Sequence, residues 1–91
     1  MARQHPGETQ GSYVCEGVIK KIVQKCKESE YLRKNYVIYI IPMVNPDGVI
    51  FGHYRTNLLG KDLNRKWDIS EKEQTCPEVG SIKSFLHEIS R

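Results

Sequence analysis

The run Tyr36-Val37-Ile38-Tyr39-Ile40-Ile41, set between Asn35 and Pro42, decides the fold. All six residues are β-branched or aromatic, the types that suit a pleated, packed surface. No polar residue alternates with them, so the run reads as a strand buried on both faces. Such strands belong to parallel or mixed sheets covered by helices. The run is far too short to cross a bilayer, and a mean hydropathy of -0.55 fits the absence of any longer apolar stretch.

Upstream of the run, Gly11-Ser12 offers a helix start. Val14, Cys15, Val18, Ile19, Ile22, Val23 and Cys26 then fall on one helical face, with Lys20, Lys21, Gln24, Lys25 and Lys27 opposite. The spacing predicts a helix from Ser12 to Glu28. Gly17 inside it implies either a close helix–sheet contact or nothing special. Downstream, Asn45-Pro46-Asp47-Gly48 is a turn by composition, and Val49 to Tyr54 predicts a short strand-like extension. Arg55 to Glu73 is polar and aperiodic, a long loop of the kind that is often functional. Val79, Ile82, Phe85, Leu86 and Ile89 mark a second amphipathic helix starting near Pro77. The order helix, strand, loop, helix gives an α/β class. One buried strand with two one-sided helices leaves both strand edges open. Either Arg3 and the residues near Val49 pair weakly with it, or the chain is part of a larger sheet; the second reading is favoured.

With 91 residues there is room for one small domain or a piece of one. The net charge of +3, from 14 Lys and Arg against 11 Asp and Glu, is mild and interspersed. It lacks the concentrated basic face of a nucleic-acid binder. Cys15, Cys26 and Cys76 are odd in number and widely spaced, which predicts reduced thiols and neither a disulfide framework nor a cysteine zinc knuckle. Met1-Ala2-Arg3-Gln4-His5-Pro6 contains no apolar signal segment, so secretion is not expected.

Two groups of residues could do chemistry. His5 and Glu8 bracket Pro6-Gly7, a tight loop that can aim an imidazole and a carboxylate at one point. Both are good zinc ligands, and catalytic zinc usually takes three protein ligands plus water. The plain alternative is a solvated loop whose Glu8 favours the positive end of the following helix. Arg55, Asn64 and Arg65 form the second group. A guanidinium grips a carboxylate through two parallel hydrogen bonds, and a neighbouring amide adds a donor. The plain alternative is an exposed basic loop with surface ion pairs worth roughly 0–1 kcal/mol.

Taken in order, four motifs carry more than either group alone. They are ARQHPGET at 2–9, IPMVNPDGV at 41–49, GHYRTN at 52–57 and GKDLNR at 60–65. In these the chain resembles the zinc metallocarboxypeptidases, and within them the cytosolic, tubulin-deglutamylase-like branch. The likeness runs from Ala2 to about Ile89. It implies an α/β/α mixed-sheet domain, of which residues 1–91 would be the N-terminal part, incomplete at both ends.

The resemblance also implies roles. His5 and Glu8 match the first two ligands of one zinc ion, which activates a water for attack. Arg55 matches an arginine that polarises the scissile carbonyl and steadies the oxyanion, a device often worth roughly 3–4 kcal/mol. Asn64 and Arg65 match the pair that holds the substrate's terminal carboxylate, to which Arg55 also contributes. Asp47 is a candidate to orient His5 through its other ring nitrogen, or simply suits its turn. Tyr54 and Trp67 read as packing residues, and His53 and His87 receive no role. The family's third zinc histidine and its general-base glutamate lie on later elements that this chain does not contain. Cys76 stands where relatives usually carry a histidine that is not a ligand.

The implied substrates are acidic protein C-termini and glutamate side chains, tubulin's among them, in the cytoplasm. Neither a nucleic acid nor a membrane is an expected partner. Without the later residues the chain alone is expected to lack significant peptidase activity. The alternatives are a catalytically dead fragment that captures carboxylates through Arg55, Asn64 and Arg65, and, more remotely, an unrelated basic adaptor.

Overall fold

The computed structural model describes residues 1–68 and 75–91. Its elements are helices α1 (Gln10–Val23), α2 (Lys27–Asn35), α3 (Pro46–Ile50) and α4 (Pro77–Ile89), with a 3-10 turn at Leu63–Arg65 between the last two.

Among the described residues none lies in a strand, which departs from the expected α/β class. The reason is pairing. A strand exists through its neighbours' hydrogen bonds, and the run from Tyr36 to Ile41 has almost none. Tyr36 leaves α2 with extended backbone (φ -134°, ψ 144°). At the far end the Ala2 N–H donates to the Ile41 carbonyl at 2.9 Å, the Val44 N–H to Ala2 at 2.9 Å and the Asn45 N–H to Arg3 at 3.2 Å. The expected weak pairing of Arg3 with the run is not made: Ala2 alone bonds its last residue, and Arg3 pairs with Asn45, four residues beyond it. The expected burial on both faces is absent as well: residues 36–40 are 37–80% exposed. Tyr39 packs edge-on against Phe85 of α4, with ring centroids 5.3 Å apart, and Ile41 packs on the core beneath α4. Ile38, Tyr39 and Ile40 also line a groove of about 350 Å³ with Val14 and Val18 of α1.

The core lies on the α4 side. Val44, Leu63, Cys76, Val79 and Ile82 are buried, with Ile41 and Trp67 against them. Val79 and Ile82 come from the predicted stripe of the second helix, which starts at Pro77 where a missing N–H costs nothing. Leu86 and Ile89, from the same stripe, stay exposed.

The single helix expected over Ser12 to Glu28 is two helices. Gln24 turns extended (ψ 146°) after Val23, and α2 restarts at Lys27. The free carbonyls at the end of α1 find donors on α2. Ser29 Oγ donates to the Lys21 carbonyl, and Arg33 Nη1 donates to those of Ile22 and Gln24. A Cβ at Gly17 would meet nothing within 4 Å, so no close packing explains that glycine. The extension expected over Val49 to Tyr54 is also corrected. Val49 and Ile50 end α3, which Asn45 caps by accepting from the Gly48 N–H at 3.0 Å. The expected loop Arg55 to Glu73 contains the 3-10 turn, and its last five residues, 69–73, lie outside the described residues.

All three cysteines are free thiols, Cys76 buried in the core. Among the described residues no helix is long and apolar enough to cross a membrane.

Candidate active site

The turn His5-Pro6-Gly7-Glu8 is wedged between two parts of the chain 40 or more positions away. The Gly7 N–H donates to the Tyr54 carbonyl at 2.8 Å. A Cβ on Gly7 would come within 2.5 Å of the Tyr54 ring, and one on Gly48 within 2.5 Å of Pro6 Cγ. Both contacts require glycine, because real Cβ atoms do not approach so closely. The motifs holding Gly7, Gly48 and Tyr54 therefore meet at one place.

His5 is buried, 7% exposed, and both ring nitrogens face carboxylates. Nε2 lies 2.9 Å from Asp62 Oδ1 and Nδ1 lies 3.2 Å from Glu8 Oε1. An ionised carboxylate only accepts, so Nε2 donates in its contact with Asp62, and a metal held between Nδ1 and Glu8 would stand where Nδ1 would otherwise donate to Glu8. That contact fixes the ring and aims Nδ1 at Glu8. Nδ1 and Oε1 stand 3.2 Å apart. Tetrahedral zinc with bonds of ~2.0–2.2 Å separates its ligand atoms by roughly 3.3–3.6 Å, so the pair stands slightly closer than two zinc ligands and fits after opening by a few tenths of an ångström. No cluster of three or more His, Cys, Asp or Glu suited to a metal occurs among the described residues. The donor set here is therefore two.

Asp62 is the junction of the site. Its Oδ2 accepts from Arg55 Nε at 2.6 Å, and its Oδ1 accepts from the Asn64 N–H at 2.9 Å as well as from His5. Partial burial pushes the Asp62 carboxyl up. Hydrogen bonds from His5, Arg55 and Asn64, with the Arg55 charge, outweigh that and hold it down at about 2. Arg55 is 42% exposed in its side chain. With Nε on Asp62, its terminal NH2 groups have no partner among the described residues and can meet an incoming oxyanion.

The 3-10 turn sorts the neighbouring side chains. Asp62 points to His5 and Arg55, Leu63 goes fully into the core, and Asn64 and Arg65 are exposed. Arg65 Nη1 reaches the Asn64 carbonyl at 3.0 Å. The fold thus joins His5, Glu8 and Arg55 through one aspartate and places Asn64 and Arg65 beside it. No side-chain bond among the described residues links Asn64 or Arg65 to His5 or Glu8.

The partner of His5 is Asp62 and not Asp47. Asp47 is an exposed first-turn residue of α3 whose carbonyl accepts from the Phe51 N–H. The sequence did hold a signal: an acid set between Arg55 and Arg65 has cations close by in the chain to pair with. Trp67 packs on the core and donates through Nε1 to Gln4 Oε1 at 2.6 Å, tying the 3-10 turn to the residue before His5. Tyr54 is exposed, its ring against Gly7. His53 Nδ1 faces the Thr56 and Asn57 carbonyls, and His87 is exposed on α4.

A family model described as zinc carboxypeptidase matches residues 1–85. Mouse cytosolic carboxypeptidase 4 is 44% identical over 89 residues, covering 98% of this chain and 8% of that protein. Mouse cytosolic carboxypeptidase 6 is 51% identical over 84 residues, covering 92% of this chain and 15% of that protein. Among solved structures, a putative carboxypeptidase A from Shewanella denitrificans superposes with a TM-score of 0.88 at 40% identity, covering 96% of this chain and 23% of that one. A metallo-carboxypeptidase from Burkholderia cenocepacia gives 0.88 at 33% identity, covering 97% and 24%. The chain therefore spans a small part of each of these relatives.

Proposed function

We propose, from the premise that this chain belongs to the zinc carboxypeptidase family, that it forms the N-terminal part of a domain removing residues from protein C-termini. The observation that carries the reading is the Asp62 junction. It joins a two-donor metal turn to an arginine 50 positions along the chain from His5 and to the Asn64–Arg65 turn. In this reading His5 Nδ1 and Glu8 would hold zinc. When bound, zinc polarises a carbonyl and acidifies water beside it. Asp62 keeps the His5 ring in the tautomer that presents Nδ1. Arg55 offers its terminal N–H groups to negative charge developing on the scissile carbonyl. Asn64 and Arg65, exposed on their turn, take the free carboxylate that distinguishes a chain end from an internal peptide bond.

The finer reading follows the same support. In the longer domain, residues 36–41 are a strand of an α/β/α mixed sheet, with α1 and α4 on opposite faces, as Ile38 with Val14 and Tyr39 with Phe85 suggest. The tails removed are rich in glutamate, tubulin's among them. The excess of 14 basic over 11 acidic residues and the relatives' naming as cytosolic enzymes support that reading and a cytoplasmic site of action.

Two measurements test this. Zinc titration of the chain against a chromophoric chelator should show uptake that His5→Ala and Glu8→Gln abolish; uptake insensitive to His5 would defeat the metal site. Grafting residues 1–85 into the matching part of mouse cytosolic carboxypeptidase 6 should preserve that enzyme's carboxypeptidase activity. Arg55→Ala in the graft should lower kcat roughly 10²–10³-fold, the loss typical of one oxyanion donor. A graft indifferent to Arg55 would remove it from the chemistry.

A further inference from the structure

We infer that Arg3 is a positioning residue whose guanidinium holds the His5–Glu8 turn in the shape that turns Nδ1 and the Glu8 carboxylate toward a common cation. The purpose of the turn rests on the metal reading above; the means of holding it rest on contacts of Arg3 itself. Nε and Nη2 both donate to the Pro6 carbonyl, at 3.1 and 2.6 Å, and Nη1 donates to Ser12 Oγ at 2.9 Å. Pro6 lies inside the turn and Ser12 lies in the first turns of α1. One planar group therefore ties together the chain on both sides of Glu8. A lysine could not do this, because an ammonium lacks the rigid fork that places parallel donors on one oxygen and a third on another.

The backbone reinforces the point. Arg3 sits at φ +53°, and among the described residues no other non-glycine has a positive φ. A side chain at positive φ crowds the neighbouring backbone, so the conformation is strained for any residue but glycine. Such strain persists only where the surroundings over-determine the conformation. On the backbone side, the Ala2, Val44 and Asn45 N–H bonds pin residues 2 and 3 against the end of the extended run and the residues after it. On the side-chain side, the three guanidinium bonds to Pro6 and Ser12 hold the residue in place. Glycine at this position would relax the strain and leave the turn unheld.

That contrast supplies the test. Arg3→Gly and Arg3→Lys are compared with the parent chain in two measurements. The first is zinc affinity by chelator competition, with His5→Ala as the metal-site control. The second is hydrogen exchange of the Gly7 amide in metal-free protein, since that N–H is bonded to Tyr54 only while the turn keeps its shape. Arg3→Gly should bind zinc up to roughly 10-fold more weakly, the lower end of the loss seen when a direct partner of a metal ligand is removed, because Arg3 acts on the ligands only through the Pro6 carbonyl and Ser12. It should also lose protection at Gly7, and Arg3→Lys should fall between it and the parent. Parent-like zinc affinity in a folded Arg3→Gly protein overturns the inference, as does full rescue by lysine. If Arg3→Gly does not fold, Arg3→Lys decides alone. If the parent takes up no zinc through His5, the metal reading is what fails. Unchanged Gly7 protection in the variants would then overturn the clamp independently, and lost protection would uphold its hold on the turn.

Discussion

Asp62 has three donors on two oxygens and a carboxyl held down at about 2, and this makes it an acid-sensitive joint. The direction of that sensitivity follows from linkage. In the unfolded chain the group titrates near the ordinary 3.8, and in the folded chain only near 2. Above the higher value both states are charged, and the stabilisation is complete. As pH falls, the unfolded chain takes the proton first, and the contribution is gone once pH has passed through about 2. With a fifth of the side chain open to solvent, its size is on the order of 1–2 kcal/mol. Urea midpoints measured from pH 6 down to 2 should therefore fall more steeply for the parent than for Asp62→Asn. Parallel acid limbs would mean that the joint is not made. In the sequence His5, Glu8, Arg55, Asn64 and Arg65 stood out as candidates by residue type, and only the resemblance carried by the four motifs gave them roles. The sequence left Asp62 in shadow because an aspartate beside a carboxylate-binding group reads as a contradiction until its cations are located in space. Asp47 drew attention in its place because short-range turn chemistry is visible in a sequence and a partner 57 positions away is not.

The break between α1 and α2 shows how capping overrides periodicity at the level of elements. The apolar spacing from Val14 to Cys26 continues across residues 24–26, so a stripe alone cannot reveal the break. What ends α1 is a set of donors eight to eleven residues further on, Ser29 for Lys21 and Arg33 for Ile22 and Gln24. Arg33→Ala should cost about 1 kcal/mol, the net worth of a solvent-exposed bond to a charged donor, with helix propensity contributing little. Urea unfolding would measure the loss, and faster amide exchange around Gln24 to Lys27 would locate it at the junction. An unchanged junction would assign the break to local backbone preference. The second helix, by contrast, was readable almost to the residue, since Pro77 marks its start and Val79 and Ile82 do enter the core. The run 36–41 was readable in its residue types and in neither its burial nor its pairing. Side-chain type is written in the run itself, whereas hydrogen-bonded neighbours must be brought by other parts of a sheet.

At the scale of the molecule this missing pairing has a measurable consequence. The chain is a slab of 44 × 33 × 17 Å with a radius of gyration of 15.2 Å, where a compact domain of its length would have about 12 Å. Its accessible surface is 6700 Å², against about 5400 Å² for an ordinary folded monomer of this mass. Part of the excess is the run itself, with Val37 80%, Tyr39 55%, Ile38 40% and Ile40 37% exposed. Open strand edges flanked by apolar side chains are templates for further pairing, and two open edges favour open-ended association over a closed dimer. The isolated chain should therefore associate as its concentration rises, and Ile38→Lys should suppress that by placing a charge in the run. In the graft into the mouse enzyme the sign should reverse. There, in the proposed sheet, Ile38 would be covered by neighbouring strands and by α1. A lysine at that position must then give up either its water or its charge, at a cost of several kcal/mol. Light scattering of the isolated pair and thermal unfolding of the grafted pair read the two halves of this expectation. A substitution that helps, or harms, in both settings would show that residues 36–41 occupy the same environment in each, and would remove the sheet from the proposal.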